Sequence, residues 1–172
     1  LSSSAAAGEA ECFATVDLLI IDRNVAKAKF YKMGAASSFL LRNGKVKKFE
    51  QAALPIGIIP EIRLNHIAVR LKAGDIVVMV SDGITEAARA CENFRLDEAK
   101  SNRVDGEFRL AGSDRAGESD GAWLQELLER RTAAELAHLS ARRLAGEILD
   151  EAILRYADRE RDDLTVAVVK IL

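Results

Sequence analysis

Histidine, cysteine and proline each occur only twice in 172 residues, aromatic residues make up 5%, and neither sign of charge prevails. Each scarcity excludes something. Cys12 and Cys91 share no CxxC spacing, which argues against a thiolate metal site or a disulfide framework and leaves two buried, reduced thiols. His66 lies in a strand-like alternation and His138 in a helical stretch, neither with a partner at ligand spacing, so both read as satisfied or solvated side chains. With 25 basic against 27 acidic side chains there is no polybasic footprint for nucleic acid or an anionic membrane. No apolar run reaches the roughly 18 to 20 residues that span a bilayer. The opening LSSSAAAGEA also lacks the basic n-region of a signal peptide. The segment therefore reads as cytoplasmic, without membrane contact of its own. The absence of an initial methionine raises the expectation of an upstream partner sequence that could carry a membrane tether or sensor.

What is present is enough for one core. About half the residues are hydrophobic (49%), and a chain of this length buries roughly two thirds of its unfolded surface. From Glu11 to Ile21 the run ECFATVDLLII is rich in β-branched residues and closes on Asp22-Arg23-Asn24, which has turn chemistry. The return run to Met33 alternates, with Ala26, Ala28, Phe30 and Lys32 on one side and Lys27, Lys29 and Tyr31 on the other. SFLLR and KVKKFE flank Asn43-Gly44, a strong hairpin signal. Leu54-Pro55-Ile56-Gly57 reads as a loop, and Ile62 to Leu71 alternates as a long strand. A turn over Lys72-Ala73-Gly74-Asp75 leads into IVVMVS, which stops at Asp82-Gly83 before a short helix, ITEAARA.

Between about Glu92 and Gly121 the chain turns hydrophilic without periodicity, as a long surface excursion within a single domain. AWLQELLERR is a short amphipathic helix. Thr132-Ala133-Ala134-Glu135 is a capping box predicted to open one helix through Tyr156, with Leu136, Leu139, Leu144, Ile148, Ala152 and Tyr156 as its core stripe. The chain ends on Asp162-Asp163 and a last apolar strand. Hairpin-connected strands, then helices, then one returning strand predict an α+β fold with helices packed on a largely antiparallel sheet.

Acids stand at two strand ends. If the strand ending at Asp82 and the strand entered after Asp162-Asp163 are antiparallel neighbours, their carboxylates converge at one sheet edge. A few oxygen donors on rigid strands suit Mg2+ or Mn2+, Gly83 permits close backbone approach, and Thr85 or Glu86 could tune the place. The ordinary reading competes, since Asp-Gly is a common turn and an acid stabilises a helix N-terminus. A haloacid-dehalogenase-type site needs a nucleophilic Asp two residues earlier, where Val80 stands.

The ordered set FATVDLLIID, KMGAASSFLLRNG, LPIGI, GDIVVMVSDGITEA and DDLTVAVVKI resembles the catalytic domain of the stage II sporulation protein E family. That family is the bacterial branch of the metal-dependent PPM (type 2C-like) Ser/Thr protein phosphatases. The resemblance implies an antiparallel β-sandwich flanked by helices. It also implies two Mn2+ or Mg2+ ions at one end of the sandwich, and hydrolysis of phosphoserine or phosphothreonine in a protein substrate by a metal-activated water. By motif, Asp82 and Asp162 resemble the family's metal ligands, with Gly83, Asp163 and Gly34 supporting them. The implied substrate is a phosphorylated regulator of the anti-anti-sigma-factor type.

One departure stands out. The family uses an earlier Asp-Gly element, and no residue before Phe13 matches it, so the first strands of the fold are expected to be missing. The alternative is a catalytically incomplete or pseudophosphatase module that binds or regulates. Unpaired sheet edges would then be covered by the N-terminal segment or by a second copy in a homodimer.

Overall fold

A computed structural model describes residues 13–58, 64–87, 121–157 and 160–172. The stretches expected to form the excursion at 92–120 and the start of the first strand, along with both cysteines, lie outside the described residues. Within them the chain order is β1 (Val16–Asp22), β2 (Lys27–Met33), β3 (Ser38–Arg42), β4 (Lys45–Phe49), β5 (Ile67–Arg70) and β6 (Ile76–Val80). The helices α1 (Asp82–Thr85), α2 (Ala122–Glu129), α3 (Ala133–His138) and α4 (Ala141–Tyr156) follow, and β7 (Val166–Lys170) closes the order. One sheet runs β1-β2-β5 and the other β4-β3-β6-β7, with every pairing antiparallel. The expected α+β architecture is present.

The period-two alternation sorts the side chains into layers. Ala28 and Phe30 of the first sheet meet Leu40, Phe49 and Val77 of the second in the core between the sheets. On β3 and β6 the intervening residues, Phe39, Leu41, Ile76, Val78 and Val80, point the other way. There they pack under the helices with Trp123, Leu124, Leu128, Leu144 and Ile148. Strands buried on both faces read as continuous apolar runs, which is why SFLLR and IVVMV carry so little polarity. The β3–β4 hairpin turns on Asn43 and Gly44, both at positive φ (52° and 73°), as a tight two-residue turn needs.

Two predicted elements differ. The single helix expected from Thr132 to Tyr156 is two. The capping box at Thr132 forms as read, but Leu139 and Ser140 are extended, and the Ser140 hydroxyl accepts from the Arg143 amide to open α4. A serine that can cap competes with helix continuation. The end of α3 is then held from elsewhere: the Lys170 ammonium donates to the carbonyls of Leu136, Ala137 and Leu139 at 3.1, 2.6 and 3.3 Å. Of the long strand expected over 62–71, residues 62 and 63 lie outside the described residues, and the described remainder is paired from Ile67 to Arg70. Leu64 is 63% exposed, so its alternation has no buried face to sit on.

Candidate active site

β6 and β7 are antiparallel neighbours, with Val80 opposite Val166. The strand that ends toward Asp82 and the strand that begins after Asp162 therefore reach the same end of the sheet. Both carboxylates are exposed there, and each has one oxygen oriented by the next residue: Gly83 N–H donates to Asp82 Oδ1 at 3.0 Å and Asp163 N–H to Asp162 Oδ1 at 2.8 Å.

Ser81 joins the two acidic segments. Its backbone N–H donates to the Thr165 carbonyl, its hydroxyl donates to the Asp163 carbonyl at 2.7 Å, and the same oxygen accepts from Thr165 N–H at 2.9 Å. Occupied in this way, the Ser81 side chain makes no cap bond to α1. Gly83 is required by closeness rather than by φ, because a Cβ there would stand 2.7 Å from the Asp163 carbonyl oxygen. On its other side the Tyr156 hydroxyl, in the last turn of α4, donates to the Gly83 carbonyl at 2.7 Å. Burial, then the negative charges of Glu86, Asp162 and Asp82, raise the Tyr156 pKa above its ordinary value. The hydroxyl therefore keeps its proton, and three carboxylates share its electrostatic surroundings. The Trp123 indole donates to the Ile84 carbonyl at 3.0 Å and fixes the next peptide of the turn.

Gly34, at the end of β2, has φ +61°, and a Cβ there would meet the Pro55 ring at 2.6 Å. It lines a cavity of about 330 Å³ between the sheet ends together with Thr15, Asp17, Ser81, Asp82 and Thr165. Asp17 escaped the sequence reading. Its Oδ2 accepts from the fully buried Lys32 ammonium at 2.7 Å and from the Ser38 hydroxyl at 3.2 Å, while Oδ1 is buried without a hydrogen-bond partner among the described residues. The one signal was the inward place of Lys32 in the β2 alternation, since a buried ammonium needs a carboxylate. Ser81 and Tyr156 were read as a strand end and a core residue, with nothing in one dimension to show that they meet residues 82 and 73 positions away.

The donor chemistry fits a hard divalent cation, because exposed aspartate oxygens on a hydrogen-bonded turn are the ligands such an ion takes. The set is short: among the described residues no three His, Cys, Asp or Glu side chains lie close enough to hold a metal. No described helix is long and apolar enough to cross a membrane.

Stage II sporulation protein E of Bacillus subtilis (strain 168) is 32% identical over 161 residues, covering 94% of this chain and 16% of that protein. The Mn-presoaked structure of its phosphatase domain superposes with a TM-score of 0.61 at 27% identity, over 91% of this chain and 56% of that one. The structure of its PP2C phosphatase domain with a fragment of the regulatory domain gives 0.63 at 29% identity, over 91% and 37%. The chain thus spans about a sixth of the curated relative and little more than half of the solved phosphatase domain. The family model for stage II sporulation protein E (SpoIIE) matches residues 2–110. With that match and a PP2C-type fold over nearly the whole chain, the protein belongs to the stage II sporulation protein E family.

Proposed function

We propose that this chain supplies the Asp82 and Asp162 portion of a phosphoserine/phosphothreonine phosphatase centre that works with Mn2+ or Mg2+. The observation that carries the reading is the Val80–Val166 pairing with the Ser81 clamp, which binds the two acidic segments to one sheet end. A divalent cation bound there would acidify a water and offset charge on the phosphoryl oxygens. Asp82 and Asp162 hold it, Gly83 lets the segments approach, Asp163 gives its carbonyl to the clamp, and Gly34 shapes the cavity beside them. Residues 1–172 act as part of one PPM-type domain. The substrate is a phosphoprotein of the anti-anti-sigma-factor type, met on the cytoplasmic side. The B. subtilis phosphatase domain that was soaked in Mn supports the choice of ion.

The short donor set favours a second reading, in which this segment alone binds metal weakly and acts as a binding or regulatory module. One experiment addresses the first reading and one the second. In a protein that carries these residues within a whole phosphatase domain, Mn2+-dependent phosphate release from a phosphoserine protein should fall about a hundredfold or more in Asp82→Asn and in Asp162→Asn; equal rates in mutant and wild type end the proposal. Calorimetric titration of the 172-residue chain with Mn2+ should give weak binding, and a tight two-ion isotherm would contradict the half-built site.

A further inference from the structure

A tyrosine at the last turn of a core helix can be there for its ring alone. At Tyr156 the hydroxyl is also specified. The residue is 6% exposed, and its buried hydroxyl reaches 73 positions back along the chain to the Gly83 carbonyl at 2.7 Å. Gly83 packs against the second acidic segment, with room for no Cβ against the Asp163 carbonyl. The connection from α4 to β7 carries Asp162, and it is tied to the Asp82 turn twice. Tyr156 ties the turn to the end of α4, and Ser81 ties it to Asp163 and Thr165.

We infer that Tyr156 is a positioning residue for the metal site. Through the Gly83 carbonyl it fixes the rotation of the Asp82–Gly83 turn and with it the place of the Asp82 carboxylate relative to Asp162. The inference rests on the metal reading of these aspartates. The ring keeps its packing in Tyr156→Phe, and only the bond to Gly83 is lost. Freed at one end, the turn would sample positions in which Asp82 and Asp162 no longer share an ion, and the cost would appear in ion affinity beyond any cost in stability.

The test is Mn2+ binding by the chain, followed by electron paramagnetic resonance at a temperature where circular dichroism shows every variant folded. Four proteins are compared: wild type, Tyr156→Phe, Asp82→Asn and Leu144→Val. Leu144 is buried near the start of the same helix, at the other end from Tyr156, so its variant reports loss of stability alone. The expected result is loss of binding in Asp82→Asn, about tenfold weaker binding in Tyr156→Phe, and an unchanged constant in Leu144→Val. Binding in Tyr156→Phe within twofold of wild type, with Asp82→Asn abolished, overturns the inference and leaves the metal reading standing. Equal weakening in Tyr156→Phe and Leu144→Val also overturns it, because the effect would then be stability. No binding by the wild type, or none lost in Asp82→Asn, overturns the metal reading and the inference together.

Discussion

The two sheets share one core and differ on their outer faces. The β4-β3-β6-β7 sheet is sealed by α2 and α4, so β6 shows buried side chains on both sides. On the β1-β2-β5 sheet, burial in β1 alternates, and Leu18 and Ile20 are 46% and 48% exposed. Asp82 and Asp162 stand at one end of the sealed sheet, just past β6 and ahead of β7. A strand pinned from both faces delivers its tip to a reproducible place, which a site needing side chains held within a fraction of an ångström requires. The half-covered sheet contributes shape and a buried ion pair at the cavity.

The difference should be largest in stability. Ile148 is fully buried under the sealed sheet, and Ile148→Ala should cost about 3 to 4 kcal/mol in urea denaturation. A cost below about 1 kcal/mol would mean that the helical layer is not what holds that sheet.

Next in size is the polar seam between the sheets. Lys32→Met leaves the part-buried Asp17 carboxylate with only Ser38 for a partner among the described residues, and should cost about 3 kcal/mol, less whatever water reaches the carboxylate, whose side chain is 18% exposed. The double change Lys32→Met with Asp17→Leu should recover most of that loss, since removing both charges also removes the desolvation they suffer. A double mutant no more stable than the single one would show that the pair is favourable in its own right.

A third effect belongs to the opposite end of β6. Asp75 is buried and accepts from Arg42 Nε and Nη2 at 2.8 and 2.6 Å and from Lys72 N–H at 2.8 Å. Burial alone would raise its pKa, but the Arg42 bond, the Lys72 amide and the nearby positive charges outweigh it and leave the carboxyl below its ordinary value. A depressed carboxyl contributes stability that is present above the unfolded value, about 3.9, and is lost as pH falls through the folded one. Arg42→Ala should therefore cost about 2 kcal/mol at pH 7 and less at pH 3, seen as urea midpoints that converge in acid. A mutant deficit that stays constant from pH 7 to pH 3 would remove the ion pair from the account.

How much of this was legible depended on how local the cause was. The Asn43-Gly44 hairpin, the Thr132 capping box and the inward face of β2 are set by residues within a few positions of each other, and all were read. The convergence of Asp82 with Asp162 needed one assumption, that their strands are neighbours, which the β6–β7 register supplies. The break at Ser140, the Lys170 cap on α3, the Ser81 clamp and the Tyr156–Gly83 bond join residues distant in sequence or choose between two local options. Asp17 was hidden because an acid in an apolar run looks like an interruption until its lysine is seen across the hairpin, where Asp17 and Lys32 are register partners.

The smallest effect is expected on the outer face of β1, where the comparison is most exposed to failure. Ile20 is half exposed and stands opposite Lys29 across the β1–β2 ladder. Ile20→Glu gives up a little apolar contact and a strand-forming residue, and gains a directly opposed charge pair worth roughly 0.2 to 1 kcal/mol. The two should nearly cancel, leaving stability within about 0.5 kcal/mol of wild type. One residue on, Ile21 points into the core between the sheets, so Ile21→Glu should unfold a large fraction of the protein and confirm the register. If Ile20→Glu instead costs more than about 1.5 kcal/mol, and the loss shrinks on dilution of the wild type, the outer face is covered in solution by a second copy. The asymmetry between the two sheets would then belong to the single chain and not to the protein as it works.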